Sequence, residues 1–242
     1  MRILALDTAT EICSAALLLD ERLLQREQRL ERGHAAAILP MVDTLLREAG
    51  VGLRSLDAIA FGRGPGAFTG VRLAASVTQG LAFGAALPVV PVSDLQALAQ
   101  RAIDEDGAIA GVLACADARM HEVYWGCFER SVEGFARAHG EERVGSPAEV
   151  KLPSRWMPAG SPAAAASSAS AALAGVGSGF AAYPELLTSV PLDLHRPDLL
   201  PRAAEIARLA VPEVAARRFL APEQALPVYL RDDVARPPPS SS

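Results

Sequence analysis

Ala58-Ile59-Ala60-Phe61-Gly62-Arg63-Gly64-Pro65-Gly66-Ala67-Phe68-Thr69-Gly70-Val71-Arg72 carries an apolar run into a glycine-rich loop, and helical spacing continues to about Ala86. The stretch reads strand, loop, helix. Glycine permits positive φ and close backbone approach, so such a loop can bring N–H groups to a phosphate or to another chain's backbone. It is not a standard phosphate loop: Val71 follows Gly70 where a lysine would stand, and Pro65 interrupts the dinucleotide spacing. Phosphate and protein both remain open as what the loop meets.

The helix adds a second signal. Gly70, Ala74, Thr78, Ala82 and Ala86 recur every fourth residue and are all small. Such a row forms a smooth ridge that lets another helix approach closely. Leu73, Val77 and Leu81 fall on a different face, suited to the chain's own sheet. The ridge serves either a partner or the neighbouring helix predicted over 35–49, and the pattern leaves the two equal. On the partner reading, Ala74→Arg or Thr78→Arg should spare the fold and abolish binding.

Upstream, Ile3–Leu6, Ile12–Leu19 and Leu23–Leu30 read as strands of an antiparallel meander, the third alternating like an edge strand. Ile38, Leu39, Val42, Leu45, Leu46 and Ala49 recur at helical spacing before a stop at Gly50. Downstream, Pro88–Val92 is a short strand, and Ser93 caps a helix to about Ile103. The acidic turn Asp104–Gly107 separates a first lobe, 1–105, from a second, 106–235. The second also opens with strands, at 108–116, 122–129 and 135–144. Residues 158–179 are rich in alanine, serine and glycine and admit a short helix. Arg202–Arg218 has a helical pattern that Pro212 should bend or split, and Leu226–Arg231 is extended. A Pro/Ser tail, 236–242, reads as disordered by composition.

The 242 residues are half apolar and carry a net charge of −5, so no global basic field draws nucleic acid to the chain. Lys151 is the only lysine. Cys13, Cys115 and Cys127 form no C-x-x-C pair and lie in apolar runs, which predicts buried thiols in a reducing compartment. The chain enters a strand pattern directly, and no apolar run reaches the ~20 residues that span a bilayer. The expected location is the cytoplasm.

Asp7-Thr8-Ala9-Thr10 closes the first strand. Actin-like ATPases and sugar kinases put a metal and phosphate turn at such a place, although theirs usually contains glycine. Asp7, Thr8 and Thr10 are therefore candidates for a residual nucleotide site, with a plain polar turn as the alternative. No metal set is predicted: His34 has Ile38 where a helical second histidine would fall, and His121, His139 and His195 are isolated. No G-x-S-x-G elbow occurs, and no catalytic constellation is found.

Four stretches together resemble the TsaB (YeaZ) family of tRNA threonylcarbamoyladenosine biosynthesis. Ile3–Thr10 is similar to its opening "ILAIDTST", and Gly62–Arg72 to "GPGSFTGVR", with Ala67 in place of serine. Asp117-Ala118-Arg119-Met120-His121-Glu122-Val123-Tyr124 is similar to "DAR..EVY", and Pro227-Val228-Tyr229-Leu230-Arg231 to "P.YLR". They occur in family order across almost the whole chain.

The resemblance implies an α/β fold of the two-lobed actin-like, ribonuclease H-like ASKHA type, with mixed β-sheets flanked by helices. It implies a non-catalytic paralogue of TsaD, the subunit that transfers threonylcarbamoyl to the adenosine beside the anticodon of ANN-decoding tRNAs. On this basis the chain is a scaffold and activator that binds TsaD, or a second copy of itself when TsaD is missing. TsaE joins with ATP in a ternary complex, tRNA is met mainly through the complex, and no membrane is involved. No cofactor is expected on this chain, ATP and metal being bound mainly by the partners. The helices over 35–49 and 68–86 are the implied contact, giving Ile38, Leu39, Val42, Leu45, Gly66, Phe68, Gly70, Val71, Ala74, Thr78 and Ala82 as interface residues. An ASKHA-type small-molecule kinase is the alternative; a metalloprotease is disfavoured by the missing histidine pair.

Overall fold

The computed structural model describes residues 1–156 and 172–231. The first part of the alanine- and serine-rich stretch 158–179, up to residue 171, and the Pro/Ser tail 236–242 lie outside them.

The first three strands form the expected meander. β1 (Arg2–Asp7) pairs antiparallel with β2 (Ile12–Leu19), and β2 with β3 (Arg22–Arg29). β3 is the half-wet edge that its alternation predicted. β4 (Ala58–Gly62) and β5 (Val89–Val92) then add in parallel, giving the order β3-β2-β1-β4-β5. The second sheet repeats the plan. β6 (Ile109–Arg119), β7 (Glu122–Arg130) and β8 (Ala136–Gly145) form an antiparallel meander, and β9 (Ala172–Val176) and β10 (Leu194–Arg196) add in parallel. Its order is β10-β9-β6-β7-β8. Two five-stranded mixed sheets of one topology make this the duplicated actin-like fold.

Helices fill the layers. α1 (His34–Ala49) and α2 (Phe68–Ala85) cover one face of the first sheet. There Leu4, Leu6, Ile59 and Phe61 meet Ile38, Val42, Leu45, Ala75 and Ala82. β1 alternates, so Ile3 and Ala5 point to the opposite face, against Ala203, Ile206, Ala207 and Ala210 of α6 (Ala203–Ala215). α3 (Asp94–Glu105) packs Leu95, Leu98, Ala102 and Ile103 on the second sheet. The far face of that sheet holds the short helices α4 (Ser178–Ala182) and α5 (Leu186–Ser189).

The boundary near residue 105 therefore separates the sheets but not the packing. α3 lies on the second sheet, and α6 returns to the first. Two local expectations change. α6 runs through Pro212 without splitting. The helix admitted within 158–179 is, at 172–176, strand β9. Ser93 caps α3 as expected, its side chain accepting the Gln96 N–H at 3.1 Å. Gly50 ends α1 in the left-handed conformation.

Candidate functional site

The glycine loop leans on the turn after β1. The Ala67 N–H donates to the Ala9 carbonyl at 2.8 Å, and the Thr8 hydroxyl donates to the Gly70 carbonyl at 2.7 Å. A Cβ at Gly66 would lie 2.7 Å from Ala9, and one at Gly70 would overlap the Thr8 carbonyl oxygen. These glycines serve close approach within the chain. Neither a phosphate nor a partner's backbone needs to be invoked for them.

That contact changes the reading of Asp7, Thr8 and Thr10. Asp7 and Thr8 are fully buried. Asp7 Oδ1 accepts the Ala9 N–H at 2.8 Å, and the Thr10 hydroxyl accepts from the Ile12 N–H at 3.1 Å. Asp7 and Thr8 are covered by the loop, with every side-chain oxygen but Asp7 Oδ2 bonded within the chain, so in this conformation a nucleotide does not reach them. The sequence pattern could not show this, because the cover comes from residues some sixty positions away.

Beneath the loop lies a feature that the sequence reading missed. Asp94, in the first turn of α3, is buried beside Asp7, and both pack against Gly62. The Gly64 N–H donates to Asp94 Oδ2. Asp7 Oδ2 and Asp94 Oδ1 are buried without a hydrogen-bond partner. Burial pushes the Asp7 carboxyl up to about 6. Burial, and next the Asp7 charge, hold Asp94 well above the ordinary carboxylate range. The available signal was a carboxylate between an apolar strand and an apolar helix; beside a serine cap it reads as a helix start.

The outer side of the loop is aromatic and open. Phe68 and Tyr229 are 59% and 47% exposed, with ring centroids 6.3 Å apart. The Arg72 guanidinium lies 3.2 Å from the Phe68 centroid and 4.8 Å from that of Tyr229. The Val228 N–H donates to the Arg63 carbonyl at 2.8 Å. Arg231 pairs with Glu122 and donates to the Ala118 carbonyl at 3.2 Å. The first, second and fourth sequence stretches thus meet at the loop, and the third joins them through Arg231.

The predicted interface residues divide. Ile38, Val42 and Leu45 of α1, and Val71, Ala74, Thr78 and Ala82 of α2, are buried in the chain's own interior. In the chain by itself their side chains are closed off from the surface. The buried part of the small ridge lies against the sheet rather than chiefly on α1. Leu39 and Phe68 are exposed, while Gly66 and Gly70 are half-buried against the Asp7–Thr10 turn. At the far end of α2, Phe83 is 75% exposed and lines a groove of about 540 Å³ with Leu87, Pro88, Phe219 and Leu220.

Comparison with known proteins agrees with this geometry. A family model described as TsaD, tRNA N6-adenosine threonylcarbamoyltransferase, matches residues 27–236. The Escherichia coli tRNA threonylcarbamoyladenosine biosynthesis protein TsaB is 40% identical over 97% of this chain and 96% of its own length. The Haemophilus influenzae TsaB is 52% identical over 52% of each chain. A solved structure of YeaZ from Pseudomonas aeruginosa is 46% identical, covering 95% of this chain and 99% of its own, with a TM-score of 0.84.

Proposed function

Since the chain belongs to the TsaB (YeaZ) family of tRNA threonylcarbamoyladenosine biosynthesis proteins, we propose that it supports that modification as a non-catalytic activator of TsaD. Its role in the pathway follows from the family. The mode of action is our reading. The observation that carries it is the division at the glycine loop. Inward, Asp7 and Thr8 are buried beneath the loop; outward, Phe68, Tyr229 and Leu39 stand in the open. Exposed aromatic anchors beside a rigid helix are the means by which proteins hold one another.

In this reading, the outward side of α1 and α2, with residues 226–231, meets TsaD. A second copy takes that place when TsaD is missing. TsaE and tRNA engage the assembled complex, which works in the cytoplasm, with ATP and metal held by the partners. Reconstitution tests it. TsaD, TsaE, threonylcarbamoyl-AMP and an ANN-decoding tRNA should give modified adenosine at a rate that rises at least tenfold on adding this chain. An equal rate with and without the chain would refute the activator role.

A further inference from the structure

Two buried acceptors without partners, on adjacent carboxyl groups, need one hydrogen between them. We propose that Asp7 and Asp94 share a single proton, and that this proton latches the glycine loop to α3 and to the turn after β1. The oxygens left orphaned, Asp7 Oδ2 and Asp94 Oδ1, then become donor and acceptor to each other. The two remaining oxygens are already spoken for, by the Ala9 and Gly64 N–H groups. One proton completes the set.

The surroundings favour a proton over an ion pair or a metal. Among the described residues no arginine or lysine pairs with Asp7 or Asp94. The nearby acids each have their own arginine: Glu142 of β8 faces Arg63 at 3.4 Å, and Glu205 of α6 holds Arg202 at 2.6 Å. Cys13 of β2, the remaining titratable neighbour of Asp7, is a buried thiol pushed up to about 11 by burial, so it stays neutral. Both glutamates oppose ionisation of the pair. A divalent cation wants about six oxygen ligands, and the described residues contain no cluster of three or more acids, histidines or cysteines able to hold one.

The sign of the pH dependence follows. Both carboxyls hold protons more tightly folded than unfolded, so their contribution is complete below the unfolded range, near pH 4. It declines as pH rises through the lower folded value, about 6 for Asp7, which leaves the single shared proton, and that proton is lost only through the higher value of Asp94. When the proton leaves, two charges oppose each other under Gly62, and the Gly64 N–H is the bond placed to break. The loop then loosens at the root of α2. This consequence does not depend on which partner α2 meets.

Carboxyl-resolved NMR of the full chain, with carbon-labelled aspartate, tests the proposal directly. One carboxyl of the pair should titrate at least about one pH unit above the surface aspartates. Its partner should respond in the same step. In Asp94→Asn, which can donate to Asp7 and accept from Gly64, the high-pH step should vanish, and the thermal midpoint should fall less between pH 5 and 8 than in the wild type. Gly64 amide exchange, corrected for its intrinsic rate, should accelerate with pH in the wild type only. Should Asp94→Asn fail to fold, the wild-type titration alone decides. Two carboxyls titrating with the surface set would overturn the proposal. So would a magnesium-dependent rise in the thermal midpoint at pH 8 that Asp94→Asn abolishes, since the pair would then hold a cation.

Discussion

At Gly70 the side-chain hydrogen is a structural requirement. A methyl group there meets the Thr8 carbonyl oxygen, a backbone atom that cannot rotate away. Gly70→Ala gains up to about 1 kcal/mol of helix propensity, but overpacking against fixed backbone costs about 1–3 kcal/mol or more. The loss should win, and urea unfolding should show a lowered midpoint; a raised midpoint would mean that the loop does not rest on the turn. The glycines of this loop were plain in the sequence, but what they approach was not. Asp94 shows the same limit: its chemistry comes from Asp7, 87 positions away, and from Gly64, while its local context is only a good helix start.

At the scale of the element, α2 was correctly read as a helix whose Val77 and Leu81 pack on the chain's own sheet, but Ala74, Thr78 and Ala82 of the small row are buried in the chain as well. Small residues look suited to a partner helix. Here they let α2 sit close to a sheet whose own side chains, Leu4, Leu6, Ile59 and Phe61, already fill the space. Large residues on the sheet demand small ones on the helix, and helical periodicity alone cannot say which surface is opposite. Ala74→Arg and Thr78→Arg should therefore unfold the chain, since an unpaired charge buried in an apolar core costs several kcal/mol. Thr78 allows a sharper test, because its hydroxyl is buried with no hydrogen-bond partner. Thr78→Val keeps the shape and removes that desolvation, and should raise stability by about 1 kcal/mol in denaturant unfolding. A loss instead would show that the hydroxyl is satisfied, and that α2 does not sit as described.

Across the whole molecule, the duplication was partly legible. Strands opening both halves predicted two similar lobes, and the sheets share one strand order. The exchange of helices was not legible: α3 serves the second sheet and α6 the first, a matter of tertiary packing that no local pattern encodes. Through it residues 219–231 return to α2, and the last family stretch reaches the glycine loop. The molecule thus presents a built surface, Phe68 and Arg72 on a helix whose inner face is closed, with Tyr229 beside them. The affinity of TsaD for Phe68→Asp, measured by calorimetry beside the wild type and Thr78→Val, tests that claim most directly. Phe68→Asp should keep its unfolding midpoint yet bind TsaD at least about tenfold more weakly, a loss of about 1.4 kcal/mol, while Thr78→Val binds as the wild type. Undiminished binding by a folded Phe68→Asp would contradict the account.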